Sequence, residues 1–137
     1  MALVVDASVA MGWLVRTQAT SLTRAALDSV EDDSGWVPAH FGLEIARSLR
    51  RHERRNLLSA TMVDQAVVLL QQQWLRVDAA NPVEQIPSVV LLARRYLLRV
   101  ADAAYLDLAL RLNLPLATRD AALARAAEAA GAALFTS

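Results

Sequence analysis

There is no cysteine in the 137 residues, which removes disulfides, thiolate-held zinc and a cysteine nucleophile together. Lysine is missing too: all fourteen basic residues are arginine. A GC-rich coding bias accounts for that choice and for the abundance of alanine. The chemical consequence holds whatever the cause, because any mechanism that needs a catalytic lysine is ruled out. Only two histidines occur, His40 and His52, in unrelated contexts, so a histidine-rich metal site is not expected. The four glycines, Gly12, Gly35, Gly42 and Gly131, compose neither a dinucleotide fingerprint nor a P-loop. Fourteen arginines balance fourteen acids, which leaves no global attraction to nucleic acid or membrane. No apolar run reaches the roughly 18 residues that a spanning helix requires. The first charge is Asp6 and the first basic residue Arg16, so the positive segment of a signal peptide is missing. A soluble, cytoplasmic chain is expected.

What is present is a 55% apolar, 20% charged sequence, the composition of a compact domain with a real core. One domain over residues 1–137 is expected. Residues 2–6 are a short, valine-rich apolar run of the kind that forms a buried parallel strand. Further strands are expected at Trp36-Val37, Leu75-Arg76-Val77 and Pro115-Leu116-Ala117, with Ala133-Leu134-Phe135 as a fifth. Between them lie helical stretches: Ser8 to Val15, Ser21 to Val30, about His40 to Arg54, about Ser59 to Gln73, Pro82 to Tyr96 or Leu98, Asp102 to Leu112, and Ala121 to Ala130 with Gly131 as its stop. This alternation predicts an α/β fold, a short parallel sheet of four to five strands covered by helices on both faces. Ligands in such sheets bind beyond the carboxyl ends of the strands, where strand order switches.

Four carboxylates stand where apolar segments meet turns or helices: Asp6, Glu44, Asp102 and Asp120. Asp6 and Asp120 each follow a strand directly, which puts both at the carboxyl edge. Crowded acids repel unless something positive joins them, so a chain that folds the four together implies a divalent cation. With oxygen ligands alone, Mg²⁺ or Mn²⁺ suits best. Asp6, Asp102 and Asp120 also sit near helix starts, where aspartate serves as a cap, and the two roles are compatible because a carboxylate has several lone-pair sites. Glu44 caps nothing. At about 100° per residue it lies beside Arg51 and Arg55, at the edge of an arc filled by Arg47, Arg50, Arg51, Arg54 and Arg55. That leaves two readings: surface pairing with Arg47 and Arg51, or an acid projecting into a cleft whose arginines neutralise phosphates. Asp107 is about 140° around the helix from Asp102 and is expected at the surface or as an outer charge. Ser8 and Thr118 flank Asp6 and Asp120 and could hold a carboxylate or a metal-bound water, or act as local caps.

These blocks resemble a known family. Leu3-Val-Val-Asp-Ala-Ser-Val-Ala with Trp13, Val37-Pro38 followed by Glu44-Ile-Ala with Leu49, Asp102-Ala-Ala-Tyr-Leu with Leu108-Ala109, and Leu116-Ala-Thr-Arg-Asp120 resemble PIN-domain proteins of the VapC toxin type, in the family's order and spacing. The resemblance implies a single PIN-like domain and maps Asp6, Glu44, Asp102 and Asp120 onto the family's acidic metal-binding quartet, with Ser8 and Thr118 as its hydroxyls. It also implies a Mg²⁺- or Mn²⁺-dependent ribonuclease, a small antitoxin partner, a homodimer and an RNA substrate. Asp6 and Asp102 would bind the principal metal, with Asp120 and Glu44 completing the site and Arg47 and Arg51 touching the RNA backbone. Ala101, Leu98-Arg99 and Gly12 depart from the usual pattern, and none removes an acid.

Rivals are weaker. A phosphoacceptor domain would use strand-end aspartates and Mg²⁺ but needs a lysine, and its second acid would fall at Ser8. A PIN-fold module that binds RNA or protein without turnover gains nothing from clustered acids. A ribonuclease of RNA processing is the remaining alternative.

Overall fold

The computed structural model describes residues 1–137. Its elements run β1 (Leu3–Val5), α1 (Ala7–Leu14), a 3-10 turn (Arg16–Gln18), α2 (Ser21–Asp32), β2 (Gly35–Val37), α3 (Phe41–Arg54), α4 (Ala60–Gln71), β3 (Leu75–Val77), α5 (Pro82–Tyr96), α6 (Val100–Leu112), β4 (Leu116–Ala117) and α7 (Ala121–Ala130). The strands form one all-parallel sheet in the order β3-β2-β1-β4. The expected fifth strand is reduced to a single parallel bridge between Leu116 and Leu134. Asp102 lies inside the first turn of α6 rather than opening it, because the helix already starts at Val100.

β1 is the centre of the core. Leu3, Val4 and Val5 are fully buried, as a strand covered on both faces must be, and β-branched valines fit that pleated environment. Right-handed crossovers place α1 to α4 together and α5 to α7 together on the other side, and the contacts within each group agree. Five of the seven α-helices start on a side-chain cap; α3 and α6, which begin after His40 and Arg99, do not. Asp6, Ser59, Asn81 and Asp120 cap α1, α4, α5 and α7, and Thr20 with Thr23 forms a capping box on α2. Gly12 has a packing reason as well, since a Cβ there would meet Thr23 Cγ2 at 2.4 Å; the missing side chain lets α1 and α2 close.

The chain leaves β1 in one direction along the sheet and reaches β4 on its other side. The switch in strand order therefore falls between β1 and β4, with Asp6 and Asp120 just past their ends.

Candidate metal centre

Asp6 is held from three sides. Its Oδ1 accepts from Ser8 Oγ (2.6 Å) and from the Val9 amide (3.0 Å), while Oδ2 accepts from Thr118 Oγ1. The Asp120 amide donates to that same Thr118 hydroxyl at 3.0 Å, and the Arg119 amide donates to Ser8 Oγ at 3.1 Å. Two strand-end turns more than a hundred residues apart are thus laced through two hydroxyls and one carboxylate. Burial pushes the Asp6 carboxyl up to about 6; its hydrogen bonds from Ser8, Thr118 and Val9 act the other way, and the negative charge of Asp102 adds to the rise.

Glu44 does not pair with Arg47 or Arg51. Its Oε1 accepts from Tyr105 Oη at 2.5 Å and lies 3.1 Å from His40 Nε2, out of line for a hydrogen bond. His40 and Tyr105 pack edge to face at 5.2 Å between ring centres. Burial alone would raise the Glu44 carboxyl, yet it is held below its ordinary value by the His40 contact, the Tyr105 hydroxyl, and the charges of His40 and Arg99. Tyr105, buried and facing that carboxylate, is driven far up and stays a donor.

Arg99 lies among the remaining acids. Its Nε donates to Asp102 Oδ2 at 3.1 Å, and its Nη2 is 4.0 Å from Asp120 Oδ2. The Asp102 hydrogen bond and charge, then the charges of Asp120 and Glu44, raise its own pKa. One guanidinium therefore feels three of the four acids, and the fourth, Asp6, feels Asp102. The structure brings the predicted quartet to one edge of the sheet, but not as a closed cage: no three His, Asp or Glu side chains converge on one point.

Mg²⁺ asks for less than a cage, because it keeps several waters and takes one or two carboxylates directly. An all-oxygen set, a buried acid whose pKa is driven up by burial, and an arginine drawn to the others fit such an ion. Asp6 and Asp102 are the residues that could hold such an ion, with Asp120 and Glu44 near them.

Sequence reasoning missed three residues here. Arg99 was visible only as a departure in a turn, Tyr105 as a packing residue near the face of Asp102, and His40 as a helix start. A faint signal existed for two of them: His40 and Glu44 are four apart on one helix, and Arg99 and Asp102 three apart, both spacings that bring side chains together. The expectation for Asp107 needs correction. It is buried, accepting from Ser88 Oγ (2.9 Å) and Arg111 Nε (2.9 Å), and Arg111 continues to Asp78 at 2.6 Å. That network ties α5, α6 and the end of β3 together on the side of α6 turned away from Asp102. Both carboxylates share the one Arg111 guanidinium, with Ser88 and Gln85 as neutral donors, as in a structural ion-pair network.

Arg47 and Arg51 do not touch the acids. They line a polar cleft of about 350 Å³, together with Ser8, Glu44 and Arg99; of the four acids, Glu44 alone lines it.

The geometry so far defines a class: an α/β domain with an oxygen-donor site at the switch point of a parallel sheet. The sequence matches the PIN domain family over residues 3–129, and the chain belongs to that family. It is similar to Ribonuclease VapC3 of Mycobacterium tuberculosis, in strains CDC 1551 / Oshkosh and ATCC 25618 / H37Rv alike. Identity is 38% over 128 residues, covering 90% of this chain and 85% of that protein. The fold is also similar to the crystal structure of PAE2754 from Pyrobaculum aerophilum, with a TM-score of 0.61 and 18% identity, over 92% of this chain and 87% of that one.

Proposed function

We propose that this protein is a Mg²⁺-dependent endoribonuclease and the toxin of a VapBC-type pair, acting at Asp6, Glu44, Asp102 and Asp120. The observation that carries the reading is the gathering of these acids at the switch point, beside an arginine-lined cleft, in a chain similar to a ribonuclease over 90% of its length. Cleaving a phosphodiester builds negative charge on its non-bridging and leaving oxygens. A bound divalent ion supplies the counter-charge and lowers the pKa of an attacking water. The chain's own residues prepare for this. Ser8 and Thr118 fix the Asp6 carboxylate, and Tyr105 with His40 fixes Glu44. Arg99, exposed and held only by surface-type ion pairs worth about 1 kcal/mol or less, can turn from the acids to an incoming phosphate. Arg47 and Arg51 would draw the RNA backbone along the cleft.

A small antitoxin and a second copy of the chain are the partners that follow from this reading. Val67, Val68 and Leu69 on α4, and Leu91 on α5, leave apolar surface exposed that could support such contacts. No helix is long and apolar enough to cross a membrane, and a cytoplasmic site of action is part of the proposal.

The test is cleavage of RNA by purified protein with Mg²⁺ and with a chelator. Wild type should cut only with Mg²⁺, and Asp6→Ala should lose cleavage by about a hundredfold or more. A folded Asp6→Ala protein that cuts at the wild-type rate would sink the proposal. Inducible expression adds the toxin arm: growth arrest by wild type and none by Asp6→Ala.

A further inference from the structure

The polar cleft beside the acids has a wall that phosphate attraction does not explain. Its lining includes Ser8, Gln18, Arg47, Ser48, Arg51 and His52, and its volume of about 350 Å³ falls within the ~300–1,000 Å³ range of small-molecule sites. Ala7 and Met11 are the only apolar residues in the lining, which disfavours a greasy ligand. The two guanidiniums can pair with phosphate or stack on a base. Gln18, Ser48 and His52 carry no charge that phosphate binding requires, yet they are held in place.

Gln18 is fixed at both ends. Its backbone carbonyl accepts from Arg119 Nη1 at 3.0 Å, which ties the 3-10 turn to the residue preceding Asp120. Its side-chain Nε2 lies 3.1 Å from His52 Nε2. His52 Nδ1 is 2.8 Å from the Ser48 carbonyl oxygen, which can only accept, so Nδ1 carries a hydrogen and, in the neutral ring, Nε2 accepts. The Gln18 nitrogen must therefore face the imidazole. That orientation uses one amide hydrogen and leaves the second, together with Oε1, without a protein partner. A half-buried amide held by contacts from sequence-distant residues, with an adjacent donor and acceptor unspent, is the chemistry that reads a base edge.

We propose that this cleft is a nucleobase subsite and that Gln18 sets the base preferred at one nucleotide beside the cleaved bond. The assignment rests on the ribonuclease reading above for what lies next to the base. Arg47 and Arg51 supply sequence-independent grip on the backbone, Gln18 supplies selection, and His52 with Ser48 holds the Gln18 amide in register.

The test separates binding from cutting. Metal-free protein is equilibrated with a random-sequence RNA pool, the bound fraction is sequenced, and affinity is read by fluorescence anisotropy. Wild type should enrich one base at one position. Gln18→Ala should flatten that enrichment by losing affinity for the enriched sequence while the other sequences bind as before, and Gln18→Glu, which replaces the amide donor by an acceptor, should shift it to another base. The Arg47→Gln, Arg51→Gln double variant should lose about tenfold in affinity on all sequences and show a shallower salt dependence. A wild-type pool with no enriched position, or Gln18 variants that keep the wild-type enrichment, would overturn the proposal. Adding Mg²⁺ to the same samples reads the reaction by itself. Base-selective binding without cleavage removes the nuclease reading alone, and cleavage without base selection removes the Gln18 assignment alone.

Discussion

Asp6 is at once the cap of α1 and a buried acid with a raised pKa. Its carboxylate closes the first turn of α1 through the Val9 amide, and burial keeps it protonated to about pH 6. The folded value lies above the ordinary 3.8, so the folded state holds the proton more tightly. The resulting stabilisation is full below pH 4 and is lost as pH rises through 6. The rise from 3.8 to about 6 corresponds to about 3 kcal/mol at most, which metal-free protein forgoes at neutral pH. Asp6→Asn keeps an oxygen for the Val9 amide but never ionises. In EDTA, it should unfold at higher urea than wild type at pH 8, by up to about 3 kcal/mol, and the gap should close toward pH 4. A difference that stays constant across that range would show that Asp6 ionises freely in the fold. Asp6 was legible from sequence because it follows a buried run directly; its burial was not, because the Thr118 turn that encloses it lies 112 residues away.

The elements were legible wherever a local signal was complete. Caps, valine-rich runs and the Gly131 stop placed the ends of β1, α2, α4 and α7 within a few residues. The less legible junction is the one between α5 and α6. There Leu97, with φ of 53°, takes the left-handed conformation that usually falls to glycine or asparagine, and the next turn delivers Arg99 to the acids. Leucine in that conformation is disfavoured by about 1 kcal/mol, and no packing repays it because the side chain is 90% exposed. Leu97→Gly should therefore stabilise the fold by roughly 0.5–1 kcal/mol in chemical denaturation. A loss of stability would mean that the leucine side chain does work its exposure hides. The turn also explains why Arg99 escaped notice: the Asp102 block begins after it, and the charges of Asp120 and Glu44 that it feels come from the cap of α7 and from α3.

Across the molecule, sequence pattern was enough for the layered α/β architecture, the parallel sheet and the edge on which Asp6 and Asp120 lie. It was not enough for contacts between helices on different faces. Tyr105 of α6 reaches Glu44 of α3 across the end of the sheet, and no periodicity within either helix encodes that meeting. Asp107 illustrates the same limit in reverse. It lies well around the helix from Asp102, but α5 covers the face it points toward, and so it is buried in an ion-pair network instead of facing water.

The central claim of the proposal is that the acids act as one cation site. Calorimetric titration of Mn²⁺ into metal-free protein measures that directly, without any RNA. Wild type should bind the ion, while Asp6→Ala and Asp102→Asn, each shown to be folded by circular dichroism, should each lose affinity by about tenfold or more. Wild-type affinity in both folded variants would contradict a shared site at the switch point of the sheet.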